Sequence, residues 1–337
     1  MNKTVLGMAV ATALASPVAL AADATIYGRA HVSVDMLDDG ADYSEMNVSS
    51  NSSRLGFKAS KETESGITGL MQIEGEITYN QGSSNISNRD TFVGLRGGFG
   101  MIRVGQFDTP FKRARGPANL FGDQLGDMRN LTRAGDGRFD ERMPNTLHYQ
   151  TPSLNGLQFN LAYSFHEGTE AEDDVDDQAV SVSATWGGGP VSLAVAYESY
   201  EEDAARGERD AVRFALAYDV IDPLKLVAFY QTVDHDDDTF DSDTLGLGAQ
   251  FSLTSATALK AMAMQRNADP DDSDSSMLAL GVEHRLDSAL RVYANYAMVD
   301  NDDNAMLTPW NQGRSVGAAG AAGETASGIS LGLRYDF

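Results

Sequence analysis

The 337-residue chain contains no cysteine. No disulfide can staple it, and no thiolate can hold a metal or act as a nucleophile. Histidine is scarce at five residues, and Asp234-His235, with an acid directly before the ring, lies inside an acidic run. That leaves little material for acid–base catalysis. Basic residues are outnumbered, 25 Lys and Arg against 49 Asp and Glu, for a net charge of -24. Nothing here would neutralise a phosphate backbone, so nucleic acid is excluded as a partner. No G-x-x-x-x-G-K-[ST] stretch occurs, and no helix pattern follows Gly94 to Gly100, so that region is no phosphate cradle. Only Val5 to Leu20 is continuously apolar, and it is too short and too Ala-rich for a membrane helix.

That stretch follows Lys3 and precedes Ala19-Leu20-Ala21. A positive start, a short apolar centre and a small-x-small site describe a secretory leader. We expect residues 1–21 to be removed, with cleavage after Ala21 or Ala22, and residues 22–337 to form one domain.

The rest of the chain alternates. In TIYGRAHVSVDM, Ile26, Gly28, Ala30, Val32, Val34 and Met36 share one parity, and Thr25, Tyr27, Arg29, His31, Ser33 and Asp35 the other. A period of two means a strand with one apolar and one polar face. The pattern recurs in about sixteen segments, the even-numbered range of outer-membrane barrels. The expected spans are 24–36, 52–62, 67–79, 89–97, 100–107, 144–151, 156–166 and 178–187, then 190–200, 210–219, 223–234, 243–253, 256–266, 276–286, 289–299 and 327–337. Two fit poorly: 223–234 is apolar on both parities, and 256–266 mixes Lys260 with Met262 and Met264. No amphipathic helix period appears after the leader.

The connections alternate short and long. TESG, GGFG, SLNG, GGGP, VIDP, LTSA and LDSA are short and carry the residues tight turns need. The long ones carry acid: Glu167 to Asp177, Glu201 to Asp203, Asp234 to Asp238, Asp269 to Asp274 and Asp300 to Asp303. This rhythm is that of a meander with its tight turns at one end, as in a membrane barrel whose long loops face outside. About 20 residues per segment suit strands of about 9–11 plus their connections. In SGISLGLRYDF, Ile329, Leu331, Leu333, Tyr335 and Phe337 alternate with polar residues to the last position. We expect that strand to pair with the first, because backbone groups in hydrocarbon must all be satisfied. The fold class is thus all-β: an antiparallel up-and-down transmembrane barrel.

Five stretches carry a family resemblance: TIYGRAHVSVD, SSRLGFKAS (Ser52 to Ser60), RDTFVGLRGGFGMIRVGQFDTP (Arg89 to Pro110), RMPNTLHYQTP (Arg142 to Pro152) and the terminal GLRYDF. In order and spacing, along essentially the whole chain after the leader, it resembles the trimeric general diffusion porins of Gram-negative outer membranes. The resemblance implies sixteen strands, a homotrimer, and passive diffusion of small hydrophilic solutes and ions, with no cofactor. It also implies a setting of outer-membrane lipid and lipopolysaccharide. The last strand, with Leu333, Tyr335 and Phe337, would be the signal read by the barrel-insertion machinery.

In that family the third long loop folds into the pore. Here it runs from about Asp108 to Met143, long enough to expect function. Its charged candidates are Asp108, Lys112, Arg113, Arg115, Asp123 and Asp127, with Phe111, Leu120 and Phe121 to dock on the wall. The family's usual Pro-Glu-Phe-Gly-like turn is replaced by GPANLFGD, without Glu. On the wall, Arg29, Arg54, Lys58, Arg96 and Arg103 have lumen parity. On the lipid face each would cost about 2–4 kcal/mol at mid-bilayer. A basic wall facing an acidic loop would set a transverse field across the waist, which orients dipolar solutes and penalises apolar ones. The acidic outer loops lack the Gly and terminal Glu of a calcium loop, so no metal site is expected. The basic waist and acidic mouth pull ion preference in opposite directions. A substrate-selective anion or nutrient channel is the nearest alternative, with a barrel enzyme or adhesin further off.

Overall fold

The computed structural model describes residues 23–165, 177–202 and 204–337. The expected leader with its cleavage at Ala21 or Ala22 lies outside the described residues, as do His166, Asp203 and most of the acid run from Glu167 to Asp177.

Among the described residues, the chain forms one closed antiparallel sheet of sixteen staves. The first half comprises β1 (Asp23–Asp38), β2 in two collinear pieces (Ser44–Ser50 and Arg54–Glu62), β3 (Thr68–Thr78), β4 in two pieces (Ser83–Asn85 and Thr91–Gly97), β5 (Gly100–Asp108), β6 (Arg142–Gln150), β7 (Leu157–Ser164) and β8 (Ala179–Gly188). The second comprises β9 (Val191–Tyr200), β10 (Arg209–Ile221), β11 (Leu224–His235), β12 (Ser242–Ser252), β13 (Thr257–Ala268), β14 (Ser275–Arg285), β15 (Leu290–Asn301) and β16 (Ala326–Asp336). Each stave pairs with its chain neighbours, and β16 pairs with β1 from Arg29↔Asp336 to Asp38↔Ser327.

Alternation decides the faces. On β16, Leu331 is 60% exposed to the outside while Ser330, facing in, is 0% exposed. The outward belt of Val34, Leu161, Leu247, Leu280 and Ile329 is what hydrocarbon requires. Tight turns join the staves at one end. Asn155 and Gly156 both take positive φ (53° and 88°), and Leu154 and Leu157 exchange backbone bonds of 2.8 and 3.1 Å around them. Two such residues match the right-handed twist of a hairpin. At the seam, Gly28 N–H donates to Phe337 O (2.9 Å) and Phe337 N–H donates to Gly28 O (3.1 Å). A Cβ on Gly28 would lie 2.5 Å from the Phe337 ring, so the terminal aromatic covers a position only glycine fits.

The two poor-fitting segments are membrane staves. In β11, Val227, Phe229 and Val233 face inward and are buried, and so are Met262 and Met264 of β13. Their lumen face is apolar because protein, not water, lies on it. The expected span 52–62 caught only part of β2, because SEMNVSS shows no clean apolar parity. The third long connection also holds two short helices, α1 (Pro110–Ala114) and α2 (Arg129–Thr132). Both are too short to display a helical period in sequence.

Candidate pore constriction

The third long connection, residues 109–141, folds inward along the wall. Its first turn is locally encoded: Thr109 Oγ1 accepts from Lys112 N–H (3.0 Å) and Pro110 fills a position that has no use for an N–H. α1 then lays Phe111 and Ala114 on Ala194 and Ala196 of β9 and Ala211 of β10, with Phe139 stacked on Phe111 at 5.3 Å between ring centres. Further on, Phe121, Leu125, Met128 and Leu131 dock over Phe229, Met262, Ala279 and Ala297. Arg213 of β10 rivets the return limb: it stacks on Phe111 (4.0 Å) and donates to Asp140 at 2.6 Å, both side chains fully buried. Burial raises the pKa of the Asp140 carboxyl, but Arg213 and Arg115 outweigh it and hold it well below the usual range.

The other face of the loop meets the wall of β1 to β6. Asp123 receives Arg29 at 3.2 Å, Arg54 at 3.5 Å and Arg129 at 2.9 Å. Burial disfavours its charge, yet Arg129, Arg54 and Arg29 together keep the carboxyl far below the normal carboxylate range. Asp127 is fully buried, pinned by Arg129 at 2.6 Å and accepting from Asp123 N–H at 2.7 Å, so it shapes the loop from behind. Asp108 sits at the loop root with Lys112 (2.9 Å) and Arg142 (3.0 Å). Arg113 is the open one, with half its side chain exposed, reaching Asp90 at 2.9 Å. Arg115 turns back to Asp140 at 3.4 Å.

The wall candidates separate. Arg29 and Arg54 meet the loop through Asp123. Arg103 stands apart, stacked on Phe107 (3.9 Å) and Phe92 (4.8 Å) and bonded to His148 Nδ1 at 3.1 Å. Lys58 lies over the Tyr27 ring at 5.2 Å, and Arg96 pairs in register with Thr68, next to the tight turns. These two are therefore below the waist. Leu333, Tyr335 and Phe337 point outward on the last stave.

Sequence reasoning missed the second half of the charged ring. Below the loop lies a polar cavity of about 450 Å³, lined by Arg29, Arg115, Lys225, Lys260, Arg291 and Arg334 against the carboxylates of Asp123 and Glu283. Lys260 pairs with Glu283 at 2.9 Å, and Arg334 and Arg29 both reach Asp336 (2.8 and 2.9 Å). The signal was available, since Lys225, Lys260, Glu283, Arg291 and Arg334 each have lumen parity at the tight-turn end of their staves. Also missed were Glu74, which joins Arg89 (2.6 Å) and Arg54 (3.7 Å), and Asp90. His235, the acid-flanked histidine, bonds to Arg206 O at 2.6 Å and orders a loop. Among the described residues, no three His, Asp or Glu side chains are grouped to hold a metal ion.

A closed strand cylinder, apolar outside, charged inside and narrowed by an inward loop, defines a pore-type barrel of the outer membrane. The family description "Gram-negative porin" matches residues 7–304, and the chain belongs to that family. The major outer membrane protein P.IB of Neisseria meningitidis serogroup B is 26% identical over 175 residues, 50% of each chain. The chain thus spans about half the length of the curated relatives it matches. Among solved structures, the anion-selective porin from Comamonas acidovorans superposes with a TM-score of 0.81 at 21% identity, covering 94% of this chain and 100% of that one. The trimer form of OmpT from Vibrio cholerae gives 0.69 at 17% identity, covering 94% and 100%.

Proposed function

We propose that the protein forms a water-filled channel through the outer membrane for passive diffusion of small hydrophilic solutes and ions, and that it favours small anions. The observation that carries this is the charged waist: Arg29 and Arg54 face Asp123, and beside them five further cationic side chains and Glu283 line the passage. Fixed charges of both signs across water orient a polar solute, and a net positive lining concentrates anions. The acidic outer loops repel anions at the mouth, but charges beyond about 8–10 Å are screened in physiological salt. The waist therefore dominates. Arg103 adds a fixed cation that has no carboxylate partner among the described residues.

Membership of the porin family supports a channel rather than an enzyme. The solved trimer form of a protein of this fold supports a homotrimer. The apolar belt fits outer-membrane lipid and lipopolysaccharide, and the outward Leu333, Tyr335 and Phe337 fit a strand read by the barrel-insertion machinery. Residues 1–21 serve in this reading as an export leader. Planar-bilayer recordings test the channel: the wild type should conduct, with reversal potentials showing anions ahead. The double variant Arg54→Ala with Arg103→Ala should move the reversal potential towards cations. An unmoved potential would remove the waist assignment.

A further inference from the structure

The last long connection, residues 302–325 between β15 and β16, also enters the lumen. Trp310 is fully buried in the same cluster as Leu125, Met128 and Leu131 of the third loop, and its Nε1 donates to Ala318 O at 2.9 Å. The two loops bond directly. Gly126 N–H donates to Pro309 O (2.8 Å), Gln312 N–H donates to Asn130 Oδ1 (2.9 Å), and Arg133 Nη1 donates to Gln312 Oε1 (2.8 Å).

Past Gly313 the chain crosses to the opposite wall. Ser52 Oγ donates to Gly313 O at 3.1 Å, and Ser315 Oγ accepts from Ser50 N–H at 2.8 Å. This landing point is the break between the two pieces of β2. The stave gives up regular pairing where the loop takes over its hydrogen bonds. Arg314 then drives its guanidinium into the wall to pair with Asp35 of β1, and both side chains are fully buried. Gly313 also packs beside Arg129 and Asp123, at the level of the waist.

We propose that residues 302–325 form a second constriction element, latched by Arg314 on Asp35, so that two loops together set the pore cross-section and the size limit for solutes. The proposal rests on the channel reading above. It concerns calibre rather than charge: Arg314 is neutralised by Asp35, so unlatching it changes which sizes pass far more than which sign. Removing one partner of a buried pair is strongly unfavourable to the arrangement that buries the other. Without Arg314 the loop should leave its seat.

The test uses the full-length protein in bilayers and in liposome swelling with sugars of increasing size. Arg314→Ala should raise single-channel conductance about twofold or more and admit larger sugars, and with Asp35→Asn added, so that no carboxylate is left unpaired, ion preference should change little. Replacing residues 308–317 by a short Gly-Ser turn should do the same, and decides the matter if Arg314→Ala does not fold. The native chain has no cysteine, so Ser50→Cys with Ser315→Cys, added to Arg314→Ala, gives a single reversible tether. Oxidation should return conductance to the wild-type level and reduction should raise it again. Unchanged conductance and sugar limit in both opened variants would overturn the proposal. A wild type that never conducts would instead overturn the channel reading.

Discussion

The lumen wall has two unlike halves. From β8 to β16 its loop-side portion is lined with Ala194, Ala211, Ala215, Phe229, Met262 and Ala279, all buried under the third loop. From β1 to β6 it carries Arg29, Arg54, Glu74, Arg89, Asp90 and Arg103. Small and apolar residues mark where a loop packs on the wall, and on the other half charged ones are held in ion pairs and ring stacks with one another. The same β strand geometry serves both, because an inward side chain only has to match its neighbour, whether loop or charged partner. A stave apolar on both parities is thus the footprint of a docked loop.

The covered half should be held by its rivets and the open half should be electrically active, and variants can break that division. The largest effect is expected for Arg213→Ala. It leaves Asp140 buried beside the weaker partner Arg115 and removes a stack on Phe111. Loss of a buried partner costs about 3–5 kcal/mol, so denaturant unfolding should shift strongly and single-channel traces should become noisy as the loop loosens. Acid reaches the same rivet late. The folded pKa of Asp140 is depressed, so the stability it contributes is in place above the ordinary carboxylate range and is lost only as pH falls through the lower folded value. Conductance noise that set in at pH 5 would contradict this.

A smaller effect should follow Ala279→Phe. The backbone of Gly126 packs so closely on Ala279 that a Cβ added there would stand 2.5 Å away. Overpacking such a site costs about 1–3 kcal/mol. Equilibrium unfolding should show the loss, whereas an aromatic at Gln72, on the open half, should leave stability nearly unchanged. Equal losses at both positions would dissolve the distinction between the halves. The smallest effect belongs to Lys112. Burial pushes its pKa down to about 8 against the raising pull of Asp108. As pH rises through about 8, the folded protein loses this charge before the unfolded chain does. Stability should therefore rise with pH from there to the ordinary lysine range, while anion preference declines. Lys112→Arg should abolish both pH steps, as followed by reversal potential and unfolding between pH 7 and 10.

Much of the barrel was legible in the sequence because a stave is a local object. Two-residue alternation needs no partner to be seen, and Asn155-Gly156 announces its turn by itself. Arg29 and Arg54 could be placed inside by parity and the expense of lipid exposure. What stayed hidden depends on distant chain. Ser44–Ser50 lacks a pattern because its hydrogen-bonding neighbours include Ser315 from the last loop. Asp127 looks like a pore carboxylate in sequence, but Arg129 two residues on draws it behind the loop. The ring of Lys225, Lys260, Arg291 and Arg334 was visible by parity stave by stave. Its convergence needed the cylinder to be closed.

The reciprocal bonds between Gly28 and Phe337 have a kinetic consequence. They join residues from opposite ends of the polypeptide, so loop closure for that contact spans nearly the entire molecule. Until the final segment is delivered, the first strand keeps a bare rim of amides that neither hydrocarbon nor a soluble aggregate partner should be allowed to meet. Assembly therefore has to guard one edge for as long as synthesis and transit last. A nascent barrel is most vulnerable in the interval just before its last hydrogen bonds form.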